Sequence, residues 1–265
     1  MELGYKGKVV GITGAASQKG IGFAIARQML QEGASVFICD LKQEAVDEAV
    51  AALSEFGTAK GYAADVSNEA AVANLFDCAM RDFGHVDVFV SNAGIYPQSA
   101  LMDMTVAQWD TVMGINLRSV FLCAKNAFRC MKDHGGVIIN AASYAAVIGS
   151  AGSGAYAASK SAVYSLTKTL AAELAPWNIR VCGFIPGVIH TGMTSALVDQ
   201  KGDQMVSQIA LHRLGKPADV AQAVAFLASD AASYITGTFV EISGGKLCVQ
   251  NPDYAYAKKE AEENA

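Results

Sequence analysis

The order of apolar runs and helical stretches predicts an α/β domain in which a doubly wound parallel sheet of about seven strands carries helices on both faces. Three observations point there. Short apolar runs rich in β-branched residues alternate with longer Ala-rich stretches at helical period. The clearest runs, such as Val9 to Ile12 and Val36 to Cys39, are continuously apolar rather than alternating, as strands covered on both faces are. Hydrophobic residues make up 52% of the 265 residues and charged ones only 17%, against about 25% charged in an average soluble domain. A large core with subunit interfaces accounts for that excess.

The elements follow in order. Val9 to Ile12 is the first strand, and the helical pattern of 21–32 begins after a glycine-rich turn. Ser35 to Cys39 is the second strand, followed by a helix over 42–56, and Lys60 to Ala63 is the third, followed by a helix over 68–83. Val86 to Val90 precedes a long helical stretch over 105–132. Val137 to Asn140 precedes a helix over 154–175, Ile179 to Phe184 is the sixth strand, and a helix over 217–229 leads to the last strand, Phe239 to Ile242. No repeat, low-complexity run or linker divides the chain, so a single domain is expected over 1–265. Two segments stand apart: 188–212, which has no strand signal and sits where a mobile flap can be inserted, and a tail from about Lys246 whose charged end is expected to fray.

Composition excludes several functions. The net charge of −5, without a basic block, disfavours a nucleic-acid partner. Nowhere do 18 consecutive apolar residues occur, so no membrane span is expected. The six cysteines (Cys39, Cys78, Cys123, Cys130, Cys182 and Cys248) form no Cys-x-x-Cys pair and read as buried reduced thiols of a cytoplasmic protein, with neither a disulfide nor a metal site. Met102, Met104, Met113, Trp109 and Phe121 read as core-packing residues.

After the first strand, Thr13-Gly14-Ala15-Ala16-Ser17-Gln18-Lys19-Gly20-Ile21-Gly22 opens directly into a helix. Such glycines let backbone approach a pyrophosphate, whose charge is favoured by the free N–H groups of the helix start. Asp40, at the end of the second strand, stands where a carboxylate accepts hydrogen bonds from an adenosine ribose diol. Further on, Tyr156-Ala157-Ala158-Ser159-Lys160 puts a phenol and an ammonium about one turn apart on a helix face.

From about Lys8 to Gly245 the sequence resembles the short-chain dehydrogenase/reductase superfamily, which implies a Rossmann-like fold and an oxidoreductase of the Tyr-x-x-x-Lys carbonyl/alcohol branch. Asp65-Val66 looks like the family's adenine-contacting pair. Ser91-Asn92-Ala93-Gly94 looks like its Asn-Asn-Ala-Gly turn with the first Asn replaced, and Pro186-Gly187 with Thr191 like its nicotinamide-side turn. The resemblance implies cofactor contacts at Gly14, Ser17, Gln18, Gly20, Ile21, Gly22, Asp40, Leu41, Asp65, Val66, Asn92, Ala93, Gly94, Tyr156, Lys160, Pro186, Gly187, Ile189 and Thr191. One feature departs from the family's usual pattern: five residues separate Gly14 from Gly20 instead of three. That spacing is similar to the divergent enoyl-thioester reductases. In that branch, however, six residues lie between the catalytic Tyr and Lys, whereas three do here and Ser153 occupies the place its Tyr would need.

The catalytic expectation follows from chemistry and resemblance together. Oxidising an alcohol requires a base for the hydroxyl proton, and a free tyrosine with a pKa of about 10 is a poor one near neutrality. A neighbouring ammonium is expected to stabilise the phenolate of Tyr156. Ser143, thirteen residues before Tyr156, matches the family serine that holds the substrate oxygen, and Asn116 matches the mid-helix residue that anchors a water relayed to Lys160. Tyr96 and Gln98 after the Asn92 turn, and His190 after Gly187, are expected with Ser143 and Tyr156 at the substrate.

The expected cofactor is NAD. Asp40 repels a 2′-phosphate, whereas Lys19 resembles the basic residue of NADP-preferring relatives; Asp40 carries more weight because it is expected to touch the ribose directly. The expected partner is a small alcohol or ketone, with a tilt to a sugar, polyol or similar polyhydroxylated compound from Tyr96, Gln98, Ser150 and Ser153. A hydroxysteroid remains the alternative, from Val147, Ile148, Met193 and Leu197, and a 3-oxoacyl thioester a further one. A nucleotide-sensing regulator on the same fold is the non-enzymatic alternative, and the intact Asn116, Ser143, Tyr156 and Lys160 argue against it. The Ala-rich helices over 105–132 and 154–175 offer more apolar surface than one sheet face covers, from which a homotetramer is expected.

Overall fold

Seven strands, β1 (Val9–Thr13), β2 (Ser35–Asp40), β3 (Ala59–Ala63), β4 (Val88–Ser91), β5 (Gly136–Ala141), β6 (Ile179–Pro186) and β7 (Phe239–Ile242), form one parallel sheet in the order β3-β2-β1-β4-β5-β6-β7. The computed structural model describes residues 3–246 and 248–264. The chain winds outward from β1 to β3, returns to β4 and winds outward again to β7. Strand order therefore reverses between β1 and β4, which leaves a crevice at the carboxyl ends of those two strands.

Both faces of the sheet are covered, which explains its continuously apolar strands: every residue of β1 and β4 is buried. On one face, α1 (Ile21–Gln31), α2 (Gln43–Leu53) and α8 (Pro217–Ala228) pack Ile25, Met29, Val46, Val224 and Leu227 against Ile12 and Val90. On the other, α3 (Glu69–Phe83), α5 (Ser119–Met131) and α6 (Gly154–Leu174) enclose Phe37, Phe76, Phe89 and Met131. The rings of Phe76 and Phe89 lie 4.7 Å apart there. No helix among the described residues is long and apolar enough to cross a membrane.

Four details depart from the sequence expectation. The stretch 105–132 is not one helix: α4 (Val106–Met113) passes through a π-helical turn, Gly114–Arg118, into α5. Within 188–212 lies a helix, α7 (Ser195–Val206), which bends at Lys201 and buries no residue, so it has no apolar stripe to betray it. The tail forms α9 (Tyr254–Glu263), docked where the Tyr256 ring stacks 3.5 Å from that of His212 and Asp253 pairs with His212 at 2.7 Å. Finally, burial differs at several side chains: Met102 is 91% exposed, Phe121 is half exposed and Trp109 is also at the surface, so they do not pack the core. Of the cysteines expected to be buried, Cys248, in the tail, is exposed and Cys78, on α3, is half-buried.

Candidate active site

The loops after β1, β2, β4 and β5 meet at the crevice, and the sequence explains how they are held. Gly14 has φ +65, and a Cβ on it would lie 2.7 Å from the Ala93 Cα, so only glycine lets the first loop turn this close to the fourth. A Cβ on Gly22 would lie 2.4 Å from the Gly14 carbonyl oxygen. Between these loops Thr13 Oγ1 accepts from the N–H groups of Asn92 and Ala93, each at 3.1 Å. In return the Asn92 amide donates to the carbonyls of Thr13 and Gly14.

Gly20 caps α1 with no side chain, and the first turn of that helix contains no acid. Its N–H groups are left for a ligand, and the dipole favours an anion. Asp40 is oriented by backbone: its carboxylate accepts from Ala16 N–H at 3.0 Å and from Leu41 N–H at 2.8 Å. Ala16 belongs to the glycine-rich loop, so this bond ties that loop to the acid. These features fit a dinucleotide, with pyrophosphate at the uncapped helix and ribose at the carboxylate, whose oxygens keep free lone pairs.

A cleft of about 390 Å³ runs between these groups. Its walls include Gly14, Ser17, Gly20, Ile21, Asp40, Leu41, Asp65, Val66, Asn92, Ala93, Gly94, Pro186 and Thr191, and at its far end Tyr156 and Lys160. Met193, expected only against a steroid, also lines it, and sequence reasoning missed Ile95, Ile115 and Phe184 of the same wall. They are apolar neighbours of motif residues, and only their place at strand or turn ends would have flagged them.

At the far end, Lys160 is 4% exposed; its Nζ donates to the Ala141 carbonyl at 2.8 Å and stands 5.8 Å from the centre of the Tyr156 ring. Burial pulls the ammonium down to about 8. Burial also pushes the Tyr156 phenol up to about 12; the Ser143 hydroxyl counteracts this, while Tyr144 and Tyr96 add to it. Desolvation is the largest influence on both groups, and the ammonium bonds a carbonyl. The Tyr96 ring meets Tyr156 edge-on at 4.8 Å.

Asn116 is fully buried in the π-turn. Its Oδ1 accepts from Ile95 N–H at 2.8 Å, and its Nδ2 donates to the Ile95 carbonyl at 3.0 Å and to Ser159 Oγ at 3.2 Å. Ser159 Oγ donates onward to the Tyr156 carbonyl. The side chain is thus spent pinning the Asn92 turn to α6. Ser143 Oγ accepts from Ala145 N–H, capping a short 3-10 turn over Tyr144–Ala146.

Several expected residues lie elsewhere. Gly22, Gly187 and Ile189 support the wall without lining it: Gly187 backs onto Ser243, where a Cβ would meet its Cα at 2.7 Å, and Ile189 is 4% exposed. Gln18 and His190 line a second cavity, beside Lys19, Arg27 and Lys216. Gln98 is exposed and, like Ser143 and Tyr96, is not among the cleft-lining residues.

The chain is similar to known proteins over most of its length. Residues 14–246 match the family model described as enoyl-(acyl carrier protein) reductase. The chain is 40% identical to a 3-oxoacyl-[acyl-carrier-protein] reductase of Thermotoga maritima, over 91% of this chain and 98% of that one. It is 37% identical to a 3alpha-hydroxysteroid dehydrogenase of Mediterraneibacter gnavus, over 92% and 98%. Among solved structures, an NAD+-bound xylitol dehydrogenase superposes with a TM-score of 0.86 at 33% identity, over 91% of this chain and all of that one. The chain belongs to the short-chain dehydrogenase/reductase superfamily and is an NAD(P)-dependent oxidoreductase acting on CH–OH and C=O groups.

Proposed function

We propose that this protein interconverts a secondary alcohol and its ketone with NAD, the alcohol being a sugar, polyol or similar small polyhydroxylated compound. One observation carries the reading: Tyr156 and Lys160 close the same cleft that Asp40 and the uncapped start of α1 open. NAD, when bound, supplies the hydride acceptor. Tyr156 exchanges the hydroxyl proton, and Ser143, whose hydroxyl favours ionisation of that phenol, holds the substrate oxygen. Lys160 serves the nicotinamide ribose and, with that contact made, eases ionisation of Tyr156. Asn116 acts through position, by fixing Ile95 and Ser159. Asp65 and Val66 border the adenine, and Pro186 and Thr191 the nicotinamide.

NAD is favoured over NADP because Asp40 lines the cleft, whereas Lys19 lines the separate cavity with Arg27 and Lys216. A 2′-phosphate beside Asp40 sets like charges together. The solved xylitol dehydrogenase, NAD+-bound by its description, supports both cofactor and substrate class. Of the four residues favouring a polyol, Ser153 is buried and donates to Ser150 at 2.7 Å, leaving Tyr96 and Gln98 for hydroxyls. A hydroxysteroid is the second reading, supported by Val147, Ile148 and Met193, each more than half exposed. Residues 188–212 act as the flap, the protein is cytoplasmic, and four copies assemble through the α4–α5 face that exposes Val106, Trp109 and Phe121.

Rates with NAD and NADP, measured on a panel of polyols, sugars, hydroxysteroids and hydroxyacyl thioesters, test the reading. The expected result is turnover of polyols with NAD, abolished in Tyr156→Phe while dinucleotide binding is kept. Retained turnover in that variant would mean another base operates.

A further inference from the structure

We propose that Lys246 recognises a negative charge on the substrate, so that the preferred alcohol is a hydroxy acid whose carboxylate sits between Lys246 and the tyrosines at the cleft end. The inference rests on the reading of the Tyr156 cleft as the active site and narrows its substrate class.

Lys246 follows the turn after β7, and that turn holds it firmly. Gly244 and Gly245 both have positive φ, and Ser243 Oγ accepts from the N–H groups of Gly245 and Lys246 at 3.2 and 3.1 Å while donating to the Glu241 carboxylate. The nearest acid in sequence is thus turned to Ser243. Lys246 Nζ donates instead to a neutral oxygen, Gln208 Oε1, at 2.8 Å, and stands 5.6 Å from the centre of the Tyr144 ring. Among the described residues no carboxylate lies within ion-pair distance of it. The side chain is half-buried, and desolvation already disfavours its charge. A partly desolvated ammonium without a counter-ion gains more from an incoming anion than an exposed lysine does.

Its location gives that anion a purpose. Tyr144 directly follows Ser143; its phenol is near enough to Tyr156 to oppose that group's ionisation, and Tyr96 is near enough to Tyr144 to oppose its own. Among the described residues the tyrosine hydroxyls that donate to protein partners are those of Tyr5, Tyr62 and Tyr256, so Tyr96 and Tyr144 keep their O–H donors for a ligand. One ammonium and neighbouring O–H donors match the two oxygens of a carboxylate. The aromatic faces beside them suit the carbon skeleton that links it to the reacting hydroxyl.

The test compares each acid with its uncharged amide: 4-hydroxycyclohexanecarboxylate with its carboxamide and gluconate with gluconamide for kcat/KM, and cyclohexanecarboxylate with cyclohexanecarboxamide for calorimetric binding to the dinucleotide-loaded protein. The wild type is expected to prefer the acid of at least one pair by about tenfold or more, equivalent to about 1.4 kcal/mol. Lys246→Met should bring that ratio to within about twofold of unity, and Lys246→Glu should invert it, as attraction becomes repulsion. No preference in any pair, or a preference that survives Lys246→Met, overturns the proposal. In Tyr156→Phe the binding preference should persist while turnover is lost; turnover in that variant would instead sink the reading of the cleft, whatever Lys246 does.

Discussion

Replacing Asn116 by Ala tests whether the π-turn is a structural pin of the site. The wild-type amide satisfies both backbone groups of Ile95, at 2.8 and 3.0 Å, and is itself fully buried. Truncation leaves a part-buried N–H and a part-buried C=O without their partners, each costing up to about 1–3 kcal/mol. Relaxation of the turn recovers part of this, so the expected loss is about 2–4 kcal/mol. At about 2–4 °C per kcal/mol for a chain of this size, Tm should fall by about 4–16 °C. Because Asn92, Ala93, Gly94 and Ile95 form one wall of the cleft, dinucleotide affinity should fall together with turnover, unlike the outcome for Tyr156→Phe. Calorimetric unfolding at fixed protein concentration, paired with titration of NAD, reads both effects. A Tm within about 2 °C of wild type, with NAD binding intact, would refute the pin and return Asn116 to a role through water alone.

Other outcomes follow from the same geometry. Burial holds Lys160 at about 8 against 10.5 for the free group, so between those values the unfolded chain binds more protons than the folded one, and this lysine's contribution to stability rises with pH across that window. Lys160→Met should therefore stabilise the dinucleotide-free protein near neutrality by on the order of 1–3 kcal/mol, less the lost bond to Ala141, with an advantage that shrinks toward about pH 10; urea midpoints showing an advantage that grows with pH would contradict this. Asp40→Ala should lower kcat/KM with NAD and narrow the gap to NADP, since it removes both the diol acceptor and the like charge; an unchanged NAD/NADP ratio counts against ribose recognition by Asp40. Proteolysis within 188–212 should slow when NAD is added, and equal rates would argue against a closing flap. Sedimentation equilibrium at micromolar concentration should show a tetramer, and a lone monomer would leave the exposed Val106, Trp109 and Phe121 without a partner.

What could be read from the sequence was local or periodic. Continuous apolar strands dictated a sheet covered on both faces, and seven such runs separated by helical stretches gave its parallel winding. Gly14, Asp40 and the Tyr156–Lys160 pair were legible because each acts over a few residues of one turn, strand end or helix face. Contacts between remote segments decided the rest. The helical periodicity over 105–132 gives no sign of the single extra residue in the π-turn, which lets Asn116 meet Ile95. Lys19 lies within the glycine-rich loop, yet it borders a separate cavity shared with Lys216. α7 escaped detection because a helix that buries nothing leaves no apolar period. The ionisation of Tyr156 and Lys160 turned on burial, a property of everything packed around them rather than of their spacing. Lys246 stands over Tyr144, about a hundred positions away in the chain, because β5 and β7 both deliver their following turns to the same end of one parallel sheet.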